Sequence, residues 1–74
     1  MGKLKKLSGK EVCKILSLYG FSEVRQKGSH IVMQKLIENS TITVPVPNHN
    51  ELKSGTLQSI IRQSGLSKEL FLTK

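Results

Sequence analysis

Aromatic side chains are scarce in this chain: Tyr19, Phe21 and Phe71 are the whole complement, and there is no tryptophan. An open platform on which successive single-stranded bases stack needs more aromatic faces than that. Cysteine is represented by Cys13 alone. No internal disulfide can form, and a reducing cytoplasm is the expected home. No apolar run approaches the ~20 residues that span a bilayer, so no membrane association is expected. The opening Met1-Gly2-Lys3-Leu4-Lys5-Lys6-Leu7 has charge but neither an apolar core nor a small-residue cleavage site. Residues 1–7 therefore read as a basic arm and not as a secretory signal.

Acidic side chains are the other scarcity. Five Asp and Glu stand against twelve Lys and Arg, a net charge of +7. The excess is uneven: residues 1–37 carry a net +6 and residues 38–74 a net +1. A lopsided positive field concentrates polyanions and makes their binding salt-dependent. With 74 residues the chain has room for a single domain, residues 8–74, and no second core. A domain of this size buries only about 60% of the surface it exposes unfolded, so a partner covering part of it would add stability.

The residues that remain fall into a clear order. Ser8-Gly9-Lys10-Glu11 fits a capping box, Ser8 accepting from a free amide and Glu11 reaching back. Behind it Val12, Ile15, Leu16 and Tyr19 recur at i, i+3, i+4 and i+7, the stripe of a core-facing helix. Gly20 should close that helix in a left-handed cap and bring Phe21 back onto Leu16. Cys13 lies beside the stripe and reads as a small core or boundary hydrophobe. Three extended segments follow over residues 23–26, 30–35 and 41–46, with Lys27-Gly28 and Glu38-Asn39-Ser40 as turns. Ile31 and Met33 alternate with His30, Val32 and Gln34. If the first pair packs on the helices, His30 lies on the open face or at its edge. Pro45 and Pro47 cannot donate to a ladder, so the third strand belongs at a sheet edge. After the loop Pro47-Asn48-His49-Asn50, a second helix from Ser54 or Gly55 buries Leu57, Ile60 and Ile61. Gly65 closes it, folding Leu66 back onto Ile61, and Ser67 caps a short last turn through Phe71. Helices covering one face of a small antiparallel sheet, an α+β architecture, is the economical packing for this order.

Chemistry concentrates in Arg25-Gln26-Lys27-Gly28-Ser29-His30. Histidine both takes and gives a proton near neutral pH, and here Arg25, Lys27 and Lys35 surround it in sequence. That setting attracts a phosphate backbone. The plainer reading is a polar residue at a hairpin turn. Gly28 has two readings as well: close backbone approach to a nucleic acid, or a positive-φ turn. A metal site is disfavoured, because His30, His49 and Cys13 lack any recognised ligand spacing and no carboxylate cluster exists. No cofactor is expected.

With its segments in this order, the chain resembles the HicA toxin family, the YcfA-like mRNA interferases. The resemblance rests on Tyr19-Gly20-Phe21, Val24-Arg25-Gln26-Lys27-Gly28-Ser29-His30 and Val44-Pro45-Val46-Pro47. It continues through Glu51-Leu52-Lys53-Ser54-Gly55-Thr56-Leu57 and Ile60-Ile61-Arg62-Gln63-Ser64-Gly65-Leu66-Ser67. It covers roughly residues 8 to 71. It implies a fold like that of double-stranded-RNA-binding domains, and endoribonuclease activity restrained by an antitoxin, HicB, from the same operon. The family's active-site histidine falls on His30. Three departures stand out: Ser54 where members commonly carry a first-turn proline, the sequence of the loop around His49, and a longer basic arm. Serine being a good helix cap, the first should matter little.

RNA carries its own nucleophile in the 2′-hydroxyl, so one well-placed imidazole can supply the proton transfers that cleavage needs, typically worth ~10²–10⁴-fold. The expected roles are His30 as general acid or base, and Arg25, Lys27, Gly28, Ser29 and Lys35 as the RNA-binding surround. His49 stays open as a second acid/base group. The expected partners are messenger RNA and a HicB-like antitoxin. The other class is a non-catalytic RNA-binding module using the same basic face, and composition alone does not separate the two.

Overall fold

The computed structural model describes residues 7–71, so most of the basic arm lies outside the described residues. The order is α1 (Gly9–Leu18), β1 (Ser22–Lys27), β2 (His30–Ile37), β3 (Ser40–Pro47), α2 (Ser54–Ser64) and a 3-10 turn over Lys68–Phe71. The strands form one antiparallel sheet in the order β1-β2-β3. One face is covered by the two helices, α2 mainly on β3 and α1 across all three strands. The architecture is α+β, as the segment order requires. No described helix is long and apolar enough to cross a membrane.

Local chemistry sets the helix ends. The Ser8 hydroxyl accepts from the Glu11 amide at 3.1 Å, and the Glu11 carboxylate accepts from the Ser8 amide at 3.0 Å. This capping box satisfies two of the donors that a helix start leaves free. At the other end Gly20 takes φ +98°. The Phe21 N–H donates to the Leu16 carbonyl at 3.1 Å, and that of Gly20 donates to Ser17 at 3.3 Å. That pair of bonds is a Schellman closure, and it turns Phe21 into the core. Gly9 answers a different need: a Cβ there would collide with the Pro47 carbonyl oxygen. The start of α1 therefore lies directly on the end of β3.

The core is formed by Leu7, Val12, Cys13, Leu16, Phe21, Ile31, Met33, Val44, Val46, Leu52, Leu57, Ile60, Ile61 and Phe71. It departs from the expected stripe in two places. Tyr19 is 40% exposed because it is the C-cap of α1, where the backbone has left helical geometry. Ile15 is half-buried, and Cys13 takes its place on the buried face. Leu7, expected in the arm, is instead core: it is buried, and its carbonyl accepts from the Leu52 N–H at 2.8 Å. Ser54 does not cap α2. The cap position is Lys53, which makes no side-chain cap bond, and the Ser54 hydroxyl accepts from the Gln58 amide one turn on. Gly65 closes α2 in the left-handed region at φ +74°. Leu66 packs against the core, its N–H donating to the Ser64 hydroxyl and not to the α2 backbone.

β3 carries Pro45 and Pro47 at an edge of the sheet, where their missing donors leave no gap in a ladder. β1, the other edge, contains a bulge. Glu23 pairs with Met33 and Arg25 with Val32, leaving Val24 unpaired between them. This one extra residue decides which side chains share a face.

Candidate active site

In an antiparallel pair, directly opposed residues point to the same side of the sheet. Ile31 and Met33 are buried under the helices with their β3 partners Val46 and Val44. Their β1 partners, Gln26 and Glu23, share that covered side. The intervening residues form the open face. Lys27, His30 and Pro47 make one row across it, and Arg25, Val32 and Pro45 the next.

Arg25 and Lys27 therefore join His30 on one uncovered surface, and the bulge is the reason. Unbroken alternation from Glu23 would put Arg25 beneath α1; the extra residue at Val24 resets the parity. Arg25, Lys27, Ser29 and His30 are all solvent-exposed. Among the described residues no element covers the imidazole.

The turn that joins these strands is two residues long. Gly28 has φ +59°, while Ser29 does not enter the left-handed region. That is the pattern of a type II′ hairpin, which has glycine at its first central position. A Cβ on Gly28 would meet nothing within 4 Å, so backbone conformation accounts for the glycine. The Ser29 carbonyl accepts from the Asn48 N–H at 2.7 Å, and the His49 carbonyl accepts from the Gly9 N–H at 2.9 Å. These two bonds tie the loop after β3 to the His30 turn and to the start of α1. His49 is exposed and lies two residues beyond Pro47, the strand partner of His30. The two histidines thus belong to the same end of the sheet.

Lys35 lies apart from this group. It pairs with Ile42 on the covered side, five positions along β2 from His30. Its ammonium stands 5.9 Å from the centre of the Phe21 ring, and its side chain runs beside Gly20 at the end of α1. A cation there opposes the negative end of the helix dipole. No basic residue of the last turn of α1 does so. Lys35 thus stands by Phe21 and the end of α1, outside the row that holds Lys27 and His30.

Cys13 is buried, and burial pushes its thiol up to about 11, with the nearby Glu23 charge acting in the same direction. A thiol so raised is protonated at neutral pH and is not a nucleophile. Among the described residues no three His, Cys, Asp or Glu side chains come together as a metal-binding group. Beneath the sheet, a groove of about 320 Å³ runs between α1 and β1 and is lined by Lys10, Cys13, Lys14, Ser17, Glu23 and Gln26, among others. The first four recur at i, i+3, i+4 and i+7, a second stripe on α1 that was visible in the sequence but masked by the stronger apolar one.

No curated protein sequence matches the chain at a significant level. A family model described as "HicA toxin of bacterial toxin-antitoxin" matches residues 9–66, from the first residue of α1 to the residue after the Gly65 cap. The match takes in the hairpin that carries His30 and both helices that support it, and the chain belongs to the HicA toxin family, the toxin half of a toxin–antitoxin pair.

Proposed function

We propose that this toxin is a metal-independent endoribonuclease in which His30 transfers a proton during cleavage of messenger RNA, and that a HicB-like antitoxin restrains it. One observation carries the reading. The bulge at Val24 gathers Arg25 and Lys27 onto the open sheet face beside an exposed His30. Two fixed cations can hold a phosphodiester and stabilise the charge that grows on its oxygens. An adjacent imidazole can take the proton of the 2′-hydroxyl or donate one to the leaving 5′-oxygen. His49, tied to the same end of the sheet through Gly9, is the candidate for the other transfer. The exposure of Arg25, Lys27 and His30 among the described residues fits a long, flexible substrate, which lies across a face and does not enter a cavity.

The test is cleavage of a defined RNA by purified wild type and His30→Ala, with circular dichroism as the folding control. The expected result is loss of cleavage with RNA binding and folding retained. RNA bound but left intact by the wild type would favour a binding module. Full cleavage by a folded His30→Ala protein would move the centre elsewhere, with His49 next to examine.

A further inference from the structure

The described chain exposes five large hydrophobic side chains: Leu18, Tyr19, Val24, Leu36 and Ile37. None is near the start of β2. Leu18 and Tyr19 end α1, Val24 is the bulged residue of β1, and Leu36 and Ile37 end β2. Leu36 is six positions from His30 on the same strand, about 20 Å at 3.3 Å per residue. It is 81% exposed, and Val24 50%. Between these two lies a depression of about 290 Å³ lined by Gly20, Ser22, Val24, Gln34 and Leu36. Ser22, Gln34 and Leu36 alternate with the covered residues, so the depression opens on the same sheet face as His30.

We propose that this depression anchors the antitoxin: an apolar side chain of the antitoxin seats between Val24 and Leu36, and the rest of its surface extends from there over Arg25, Lys27 and His30. The proposal rests on the toxin–antitoxin character of the family, and it adds where the binding energy resides. The chemistry of the lining selects the occupant. Among the described residues no cation lines the depression, Lys35 lying against Gly20 from the covered side, so it offers little to RNA phosphates, and two aliphatic side chains make a poor stacking surface for bases. It lies at the small end of pockets that hold organic ligands. A second copy of this chain would bring the same +7 charge, and like charge opposes self-association. An acidic protein with an apolar anchor meets none of these objections. The positive face next to Val24 would steer it in, and a water-excluded centre would hold it. Val24 is followed immediately by Arg25, so an anchor here continues without a gap onto the candidate active face.

The division of labour is testable with substitutions that keep strand-forming residues in place. Val24→Thr and Leu36→Thr, singly and together, are compared with wild type in two assays. One is affinity for the purified protein encoded by the neighbouring antitoxin gene; the other is cleavage of a defined RNA. The double variant is expected to bind the antitoxin at least tenfold more weakly, through faster dissociation, with RNA cleavage within twofold of wild type. In cells it should inhibit growth even when the antitoxin is co-expressed. Antitoxin affinity within twofold of wild type would overturn the anchor. So would a toxin dimer in sedimentation that Leu36→Thr dissolves, since the depression would then belong to a second copy. A wild-type protein that binds antitoxin but leaves RNA intact would refute the nuclease reading, and the affinity comparison would still decide the anchor.

Discussion

Lys27 and His30 are strand partners, the last pair of the β1–β2 ladder, with Gly28 and Ser29 alone between them. The pairing sends both side chains to the same face, and the turn holds their separation fixed. A cation and an imidazole placed by a ladder and a tight turn are more precisely held than two groups on a free loop. The hairpin is therefore the part of the fold whose geometry the chemistry would feel most.

Gly28→Ala should disturb that hairpin without any clash. A Cβ there has open space around it, but φ +59° is costly for an L-residue, about 1–2 kcal/mol. The expected result is a loss of that size in urea denaturation, with cleavage reduced further because Lys27 and His30 lose their fixed spacing. Gly9→Ala should act by another route, pushing α1 away from the Pro47 carbonyl. Overpacking of that kind typically costs about 1–3 kcal/mol. A Gly28→Ala protein as stable as wild type would contradict the turn assignment.

Cys13 gives stability a pH dependence at the alkaline end. Folding raises the thiol from 9.0 to about 11, chiefly by burial. A raised acid stabilises the folded state fully below its unfolded pKa, and the contribution is lost as pH rises through the folded one. Denaturation midpoints should therefore show no cysteine contribution to their slope below pH 9, then decline toward pH 11. Cys13→Ala should remove that decline, whatever its effect on packing. A thiol-specific reagent at neutral pH should react with the native protein far more slowly than with the unfolded chain.

The features that were legible in the sequence are those written in local chemistry. The Ser8–Glu11 box, the Gly20 and Gly65 closures and the proline-bearing edge strand each depend on a few neighbouring residues, and each is present. What was not legible depends on counting across elements. The bulge at Val24 has no residue signature, since valine suits a regular strand equally well. Without it, strand alternation puts Arg25 on the wrong face. Lys35 looked close to His30 in a basic stretch, yet an odd separation along β2 sends it to the covered side. Tyr19 fitted the helical period, but the period ended one residue before it. The capping role given to Ser54 failed for a similar reason, because the helix starts at Ser54 itself, one residue earlier than a cap at that position requires.

The basic character of the first half should appear as a salt effect. Each phosphate neutralised on a single strand contributes about −0.7 to the slope of log affinity against log salt. RNA affinity is expected to fall steeply between low and physiological salt, with Arg25→Gln and Lys27→Gln each flattening the slope by about that amount. Affinity that does not change with salt would rule out the basic-face model.

Lys35 supplies the sharpest comparison, because its sequence neighbourhood and its position in the fold point in opposite directions. In sequence it belongs with Arg25 and Lys27; in the fold it lies over Phe21 on the covered side, away from His30. Lys35→Gln removes one positive charge, just as Lys27→Gln does, so the two variants share the same net charge. If the field of the whole protein governed activity, they would be equally impaired. If contact on the open face governs it, they separate. Lys27→Gln is expected to raise KM and lower kcat for RNA cleavage, while Lys35→Gln keeps both near wild type. In denaturation the order should reverse. Lys35→Gln gives up its contact with the Phe21 ring, worth about 0.5–1 kcal/mol at such sites, and Lys27→Gln at an exposed strand end changes little. Equal loss of cleavage in both variants would refute the assignment of the active face, and a Lys35→Gln protein with wild-type stability would remove the structural role given to that lysine.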